Sequence, residues 1–225
     1  KRRLKEGSVR LGLVTESQQM QVDARNVIAE LPGTDPSAGW IVIGGHYDGH
    51  DVAQGALDNG TGTAVVLETA RLLAPLRSSL KAGIRFINFT GEELGLNGSY
   101  AYVHDYPGDL DSIRAVFNID IIGMFPPVLC MVQGSPQLTD YLKQLPLSDL
   151  DLMVKDDAFV PYSDHFPFFL KGIESLMAVS SRPPDAKGWV HTAADTLDKI
   201  EMRFLREASA TVARTLLRMA AEPEN

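Results

Sequence analysis

Apolar residues recur along the chain in two rhythms, and the changes of rhythm mark the elements. Residues 9–14 (VRLGLV) alternate, as a half-buried strand does. Residues 22–31 (VDARNVIAEL) predict a second strand, closed by the turn chemistry of Pro32-Gly33-Thr34-Asp35-Pro36. Ile41-Val42-Ile43 is a short continuous apolar run, the pattern of a strand buried on both faces. Residues 84–89 (IRFINF), 115–119 (AVFNI) and 175–179 (SLMAV) predict three more strands. Helical spacing governs 60–74, where Val66, Ala70 and Leu73 recur and Pro75 closes the segment. It governs 201–220 as well, where Phe204, Leu205, Val212, Leu216 and Met219 fall near one stripe. Strands and helices alternate. That predicts an α/β fold: a mixed, mostly parallel central sheet with antiparallel edge strands contributed by the N-terminal segments, and helices on both faces. Residues 134–160 resist placement. No repeat or interdomain linker stands out, so 1–225 reads as one domain.

Composition narrows the class. With 225 residues and 44% apolar content the chain can bury one sizeable core. No run of about 18 apolar residues exists, so no membrane-spanning helix is expected. The net charge is −8 and the basic residues are scattered, with Lys1-Arg2-Arg3 the short exception. Nucleic acid is therefore not an expected partner. The lone Cys130 sits in the apolar setting PVLCM, cannot close an internal disulfide, and reads as a small buried apolar residue. No signal peptide is visible, but Lys1 need not be the natural start. The oligomeric state is not legible.

The placement of polar residues carries the chemistry. His46 and Asp48 follow one predicted strand, Glu92 and Glu93 another, and Asp120 ends a third. Asp58 lies just before a predicted helix, and His191 in the loop after the 175–179 strand. In an open α/β sheet the crevice beyond the carboxyl ends of the strands binds ligands. Two explanations compete for such a cluster: ordinary solvated loop residues, or a metal site. Carboxylates and imidazoles with no Cys among them suit zinc or another borderline divalent ion. Charge favours the metal. Asp58, Glu93 and Asp120 carry three negative charges, and two dications with a hydroxide would balance them. Paired metals about 3.5–4 Å apart are an established catalytic arrangement.

In order along the chain stand Asn26-Val27-Ile28-Ala29-Glu30-Leu31-Pro32-Gly33, Gly45-His46-Tyr47-Asp48, the stretch 55–62 (GALDNGTG) and the stretch 90–99 (TGEELGLNGS). Then come 118–123 (NIDIIG), Ser163-Asp164-His165 and the stretch 191–196 (HTAADT). This ordered set, over roughly residues 22–200, resembles the M28 family of zinc aminopeptidases and related exopeptidases. The resemblance implies a secreted or periplasmic enzyme with two zinc ions, acting on peptides with a free N-terminus. It implies that His46 and Asp120 bind one zinc, Glu93 and His191 the other, and that Asp58 bridges them. Asp48 would hydrogen-bond the ring of His46 and fix its tautomer. Glu92 would be the general base acting on the metal-bound water and passing its proton to the leaving amine.

The chain departs from the family in places. Some members carry a Tyr just before the last His ligand; here that position is Val190, and Tyr162 is the candidate substitute or a pocket-wall residue. Members usually have further elements upstream, and many insert a protease-associated domain, so upstream N-terminal parts are expected to be lacking here. His165 is placed in the pocket wall or around the ligands, and Asp51 and Asp164 around the ligands. Trp189 is a pocket candidate, and Phe166 a pocket or core residue. His50 and His104, which match no motif, are read as surface residues. Met153, Met177 and Met202 are read as core. Arg182 and Lys187 are either solvated or set to meet a substrate carboxylate. The rival functions are a single-zinc glutaminyl cyclase, a carboxypeptidase or dipeptidase of the same family, and a receptor-like domain without catalysis.

Overall fold

The computed structural model describes residues 10, 12–16, 18, 20–145, 151–156, 158–181 and 188–221. Its strands are β1 (Val27–Leu31), β2 (Trp40–His46), β3 (Gly83–Phe89), β4 (Ile113–Ile119), β5 (Phe125–Gln133), β6 (Leu152–Lys155) and β7 (Glu174–Ser181). The α-helices are α1 (Thr61–Leu73), α2 (Asn97–Asp105), α3 (Pro107–Leu110), α4 (Pro136–Gln144), α5 (Phe166–Phe169) and α6 (Met202–Ala221). The seven strands form one sheet in the order β1-β3-β2-β4-β7-β5-β6. Neighbours from β3 through β2 and β4 to β7 are parallel. β1 is antiparallel to β3, and β5 is antiparallel to β7 with β6 parallel to β5. The sheet is therefore mixed, parallel at its centre and reversed toward both margins.

The two-faced burial of the central strands follows from their side-chain alternation. Ile41 and Ile43 of β2, Ile84 and Phe86 of β3 and Phe117 and Ile119 of β4 face a core shared with α1, α4 and α6. Val42, Ile87, Phe89 and Val116 face the opposite way, onto Tyr102 and Val103 of α2 and Phe168 of α5. Helices thus cover both faces. The amphipathic stripe on α6 behaves as its spacing predicts: Leu205, Val212, Leu216 and Met219 are buried. Cys130 is buried on β5, where burial pushes its thiol up to about 12.

Several expectations need correction. In residues 9–14 the described positions form no strand, and Leu13 and Val14 are 86% and 90% exposed. Alternation produces a strand only where a neighbouring edge offers hydrogen bonds, and among the described residues the sheet ends at β1. The second strand begins at Val27 rather than at residue 22, because its pairing with β3 starts at Val27 opposite Asn88. Met153 and Met202 are 49% and 54% exposed. Met153 lies on the solvent side of the edge strand β6, and Met202 in the outer first turn of α6. Met177 is buried on β7. The region 134–160 contains α4 and β6. Arg182 and Lys187 lie outside the described residues.

Candidate metal centre

The parallel strands deliver their carboxyl ends to one edge, and there the polar residues converge. β2 closes on His46, β3 leads through Thr90 and Gly91 to Glu92 and Glu93, and β4 leads directly to Asp120. Asp58 comes from the five-residue turn Ala56–Gly60 that feeds α1. His191 comes from the loop beyond β7, in a left-handed conformation with φ 59°.

Asp58 is the centre of the cluster. Its Oδ1 lies 3.2 Å from His46 Nε2, and its Oδ2 lies 3.0 Å from His191 Nε2. Each oxygen therefore faces a different imidazole. Asp120 Oδ1 is 3.7 Å from the same His46 nitrogen, and Glu93 Oε2 is 3.1 Å from His191 Nε2. Two donor sets result, His46–Asp58–Asp120 and Asp58–Glu93–His191, each with ligand atoms within 4.8 Å of one another.

Two observations test whether these residues fit metal ions. Asp120 Oδ1 and Glu93 Oε1 are buried and accept no hydrogen bond, an arrangement that costs stability unless a cation meets them. The donors are also imidazole and carboxylate throughout, which suits zinc. The residues fit two ions sharing Asp58, that is, a dinuclear zinc site.

The surroundings fix these ligands. His46 Nδ1–H donates to the Asp48 main-chain carbonyl at 3.1 Å, with the Asp48 carboxylate at 3.5 Å, which turns Nε2 toward Asp58 and Asp120. The Asp48 carboxylate also accepts the backbone N–H groups of Glu92 and Glu93, both at 3.2 Å, so it ties the β2 loop to the β3 loop. Ser163 donates to Asp120 Oδ2 at 2.8 Å. Asn59 Oδ1 accepts from Gly62 and Ile121 N–H, while its Nδ2 donates to the Ile119 carbonyl, clamping the Asp58 turn to the end of β4. Gly62 is required there: a Cβ would stand 2.3 Å from Asn59 Oδ1 and 2.4 Å from the Ile119 carbonyl.

Electrostatics reflect the crowding. For His46 burial opposes a charged ring, yet hydrogen bonds to Asp120, Asp48 and Asp58 outweigh it and raise the pKa. Burial pushes the Glu92 carboxyl up to about 9; His46 opposes the shift, and the charges of Asp120, Asp164 and Asp58 add to it. Glu93 is raised by burial and by Asp58. Glu92 belongs to neither donor set, and its Oε2 is 4.0 Å from His46 Nε2.

The remaining candidates are spread around this centre. Asp164 is fully buried, accepts from Ser99 Oγ at 2.6 Å, and is raised by burial to about 7. His165 is also fully buried, 3.4 Å from Gln133 Oε1, and burial lowers its pKa to about 4. Tyr162 is 69% exposed and lines a cavity of about 990 Å³ that opens onto the cluster. Leu129, Met131, Met177 and Val179 supply an apolar wall of the same cavity, and Val190 and His191 flank it. Trp189 packs with Val190 against Leu57, Ile121 and Met124. Phe166 meets Phe159 edge to face and stacks on Phe169. His104 is exposed, and Asp51 is exposed 3.5 Å from His50 Nδ1.

Two residues escaped sequence reasoning. Asp195 is completely buried and accepts the N–H groups of Leu57 and Asp58 at 2.7 and 3.0 Å, so it braces the bridging carboxylate. Its place in the stretch HTAADT was a signal that went unused. His50, read as a surface residue, is half-buried and stacks on His191, with ring centroids 5.2 Å apart.

Known proteins align with this arrangement. The profile of peptidase family M28 matches residues 26–216. Aminopeptidase YwaD of Bacillus subtilis (strain 168) is 32% identical over 180 residues, covering 76% of this chain and 39% of its own. The solved structure of BSAP, a zinc aminopeptidase from Bacillus subtilis, superposes with a TM-score of 0.71 at 28% identity, covering 88% of this chain and 50% of that one. An Acidobacteriales bacterium glutaminyl cyclase shares the fold, with a TM-score of 0.69 at 24% identity, covering 87% of this chain and 73% of that one. The chain spans 36–57% of the length of three curated aminopeptidase relatives. The match nevertheless runs from Asn26 to Leu216 and takes in all five residues of the two donor sets, and on that extent the chain belongs to peptidase family M28.

Proposed function

We propose that the protein is a co-catalytic dizinc aminopeptidase, removing apolar residues from the N-terminus of peptides. The observation that carries this reading is Asp58, with one oxygen toward each histidine at 3.2 and 3.0 Å. A single-zinc cyclase has no need of a carboxylate divided in this way. Bound at the two donor sets, zinc would supply Lewis acidity to the scissile carbonyl and to the attacking water.

This chain's own residues do the rest. His46 and Asp120 would hold one ion, Glu93 and His191 the other, and Asp58 would serve both. Asp48 steadies His46 and the backbone of the two glutamates. Glu92, free of both donor sets, takes a proton from the attacking water and passes it to the leaving amine. Burial among the protein groups raises its pKa, and dications held at the two donor sets would oppose that shift by favouring the anion. The apolar wall of Leu129, Met131, Met177 and Val179 receives the side chain of the N-terminal residue. The acidic groups around the metals suit an ammonium, which gives the site its preference for a free terminus.

The test is hydrolysis by zinc-loaded protein of leucyl anilide against its N-acetylated form. Cleavage of the free amine alone is expected. Equal cleavage of both removes the aminopeptidase assignment, and loss of peptide cleavage on C-terminal amidation points to a carboxypeptidase.

A further inference from the structure

The two metal-facing histidines are held by different means. The ring of His46 is buried and anchored at its second nitrogen by the Asp48 carbonyl at 3.1 Å. The ring of His191 is 53% exposed and rises from a loop residue with φ 59°. Its polar contacts, to Asp58 and Glu93, both run through Nε2, and among the described residues no hydrogen bond reaches Nδ1. A ring held at one atom can still swing about that atom. A histidine ligand normally has its other ring nitrogen tied to a partner that fixes its orientation.

His50 supplies the missing restraint through its face. Its ring lies nearly parallel to that of His191, at 21° with centroids 5.2 Å apart. Its Nδ1 is buried and makes no hydrogen bond, the exposed Asp51 carboxylate standing 3.5 Å away, so hydrogen bonding at that atom does not place the ring. The backbone beneath it is anchored by a turn in which Ala53 N–H donates to the His50 carbonyl at 2.8 Å. A few residues on, Gln54 Oε1 accepts Leu197 N–H at 3.3 Å, joining this loop to the one that carries His191. Asp195 joins them again through Leu57 and Asp58. Of these ties, only the ring stack touches the His191 ring.

We propose that His50 is a positioning residue that holds the His191 imidazole in its metal-binding orientation by ring stacking. The proposal rests on the reading of Asp58, Glu93 and His191 as a zinc site. An exposed surface histidine would have no effect on metal binding. A stacking residue must affect one ion and not the other, and any flat ring should replace it.

The experiment is zinc titration of the metal-free full chain against a chromophoric chelator, with melting of the metal-free protein as a control. His50→Ala should weaken one of the two zinc affinities about 2–10-fold, the range expected for one aromatic pair. The other affinity and the metal-free melting temperature should stay unchanged. His50→Phe should restore the lost affinity, and His50→Gln should not. In a His191→Ala background, His50→Ala should cause no further loss. Unchanged affinities in His50→Ala overturn the proposal, as does rescue by Gln but not by Phe, or an equal further loss without His191. A wild-type chain that binds no zinc at this cluster overturns the underlying reading instead, and it does so before any substitution is made.

Discussion

Glu92 and Glu93 are adjacent, chemically identical and differently surrounded. Glu93 Oε2 lies 3.1 Å from His191 and belongs to a donor set, whereas Glu92 belongs to neither. Their substitutions should therefore fail in different ways. Glu93→Ala removes an anionic ligand, so zinc content and melting temperature should both fall. Glu92→Gln keeps shape and ligands, so zinc content should hold while kcat drops by about 10²–10⁴-fold and KM changes little. Metal analysis with steady-state kinetics on both variants checks this; zinc loss from Glu92→Gln with retention in Glu93→Ala would reverse the roles. Four of the five donor residues were legible as an acid or imidazole where a predicted strand ends or a helix starts, and His191 as an imidazole in the loop beyond a strand; their separation from Asp48 and Glu92 as ligands came from the family resemblance. Asp195 and His50 were not, because their value lies in a partner far along the chain. Asp195 meets Leu57 and Asp58 from 138 and 137 residues away, so its place in the stretch HTAADT marks it while its partners are not written locally.

Elements were legible in proportion to how fully their burial is written into a short period. β2 is buried on both faces and reads as a continuous apolar run, β3 and β4 read as apolar runs interrupted only by Arg85, Asn88, Arg114 and Asn118, and α6 reads as a stripe. β5 was missed because Pro126-Pro127 interrupts it; the pairing with β7 shifts register at that point and resumes at Val128. α2 was missed because its buried residues are Gly98, Ser99, Tyr102 and Val103, half of them small and polar or without a side chain. The strand expected at 9–14 failed for the opposite reason, since it has the rhythm but no neighbouring edge. At this scale the turn Ala56–Gly60 matters most, because it carries the bridging carboxylate and is held by Asp195 from one side and Asn59 from the other. Asp195→Ala strands two buried N–H donors. It should destabilise the chain by about 2–5 kcal/mol in urea unfolding and weaken zinc binding at both donor sets. Stability within about 0.5 kcal/mol of wild type would show that the brace is dispensable.

On the scale of the whole molecule, the sheet topology and the metal centre are one design. Four parallel strands end at the same edge, and the segments that leave them bring acids and imidazoles from five places in the chain to within a few ångströms. Burial, and with it that concentration of like charge, disfavours the charged carboxyls in the protein alone and raises those of Glu92 and Glu93. Ions that bind only the folded state reverse the penalty, and at a thousand times Kd each adds about 4 kcal/mol of stability. Asp58 belongs to both donor sets, so both sites depend on it. Zinc titration of the metal-free protein, followed to saturation, tests this most directly. The account predicts saturation at two equivalents per chain in the wild type, with both sites weakened together in Asp58→Ala. Saturation of the wild type at a single equivalent, or an Asp58→Ala variant that still binds both ions at wild-type affinity, would contradict it.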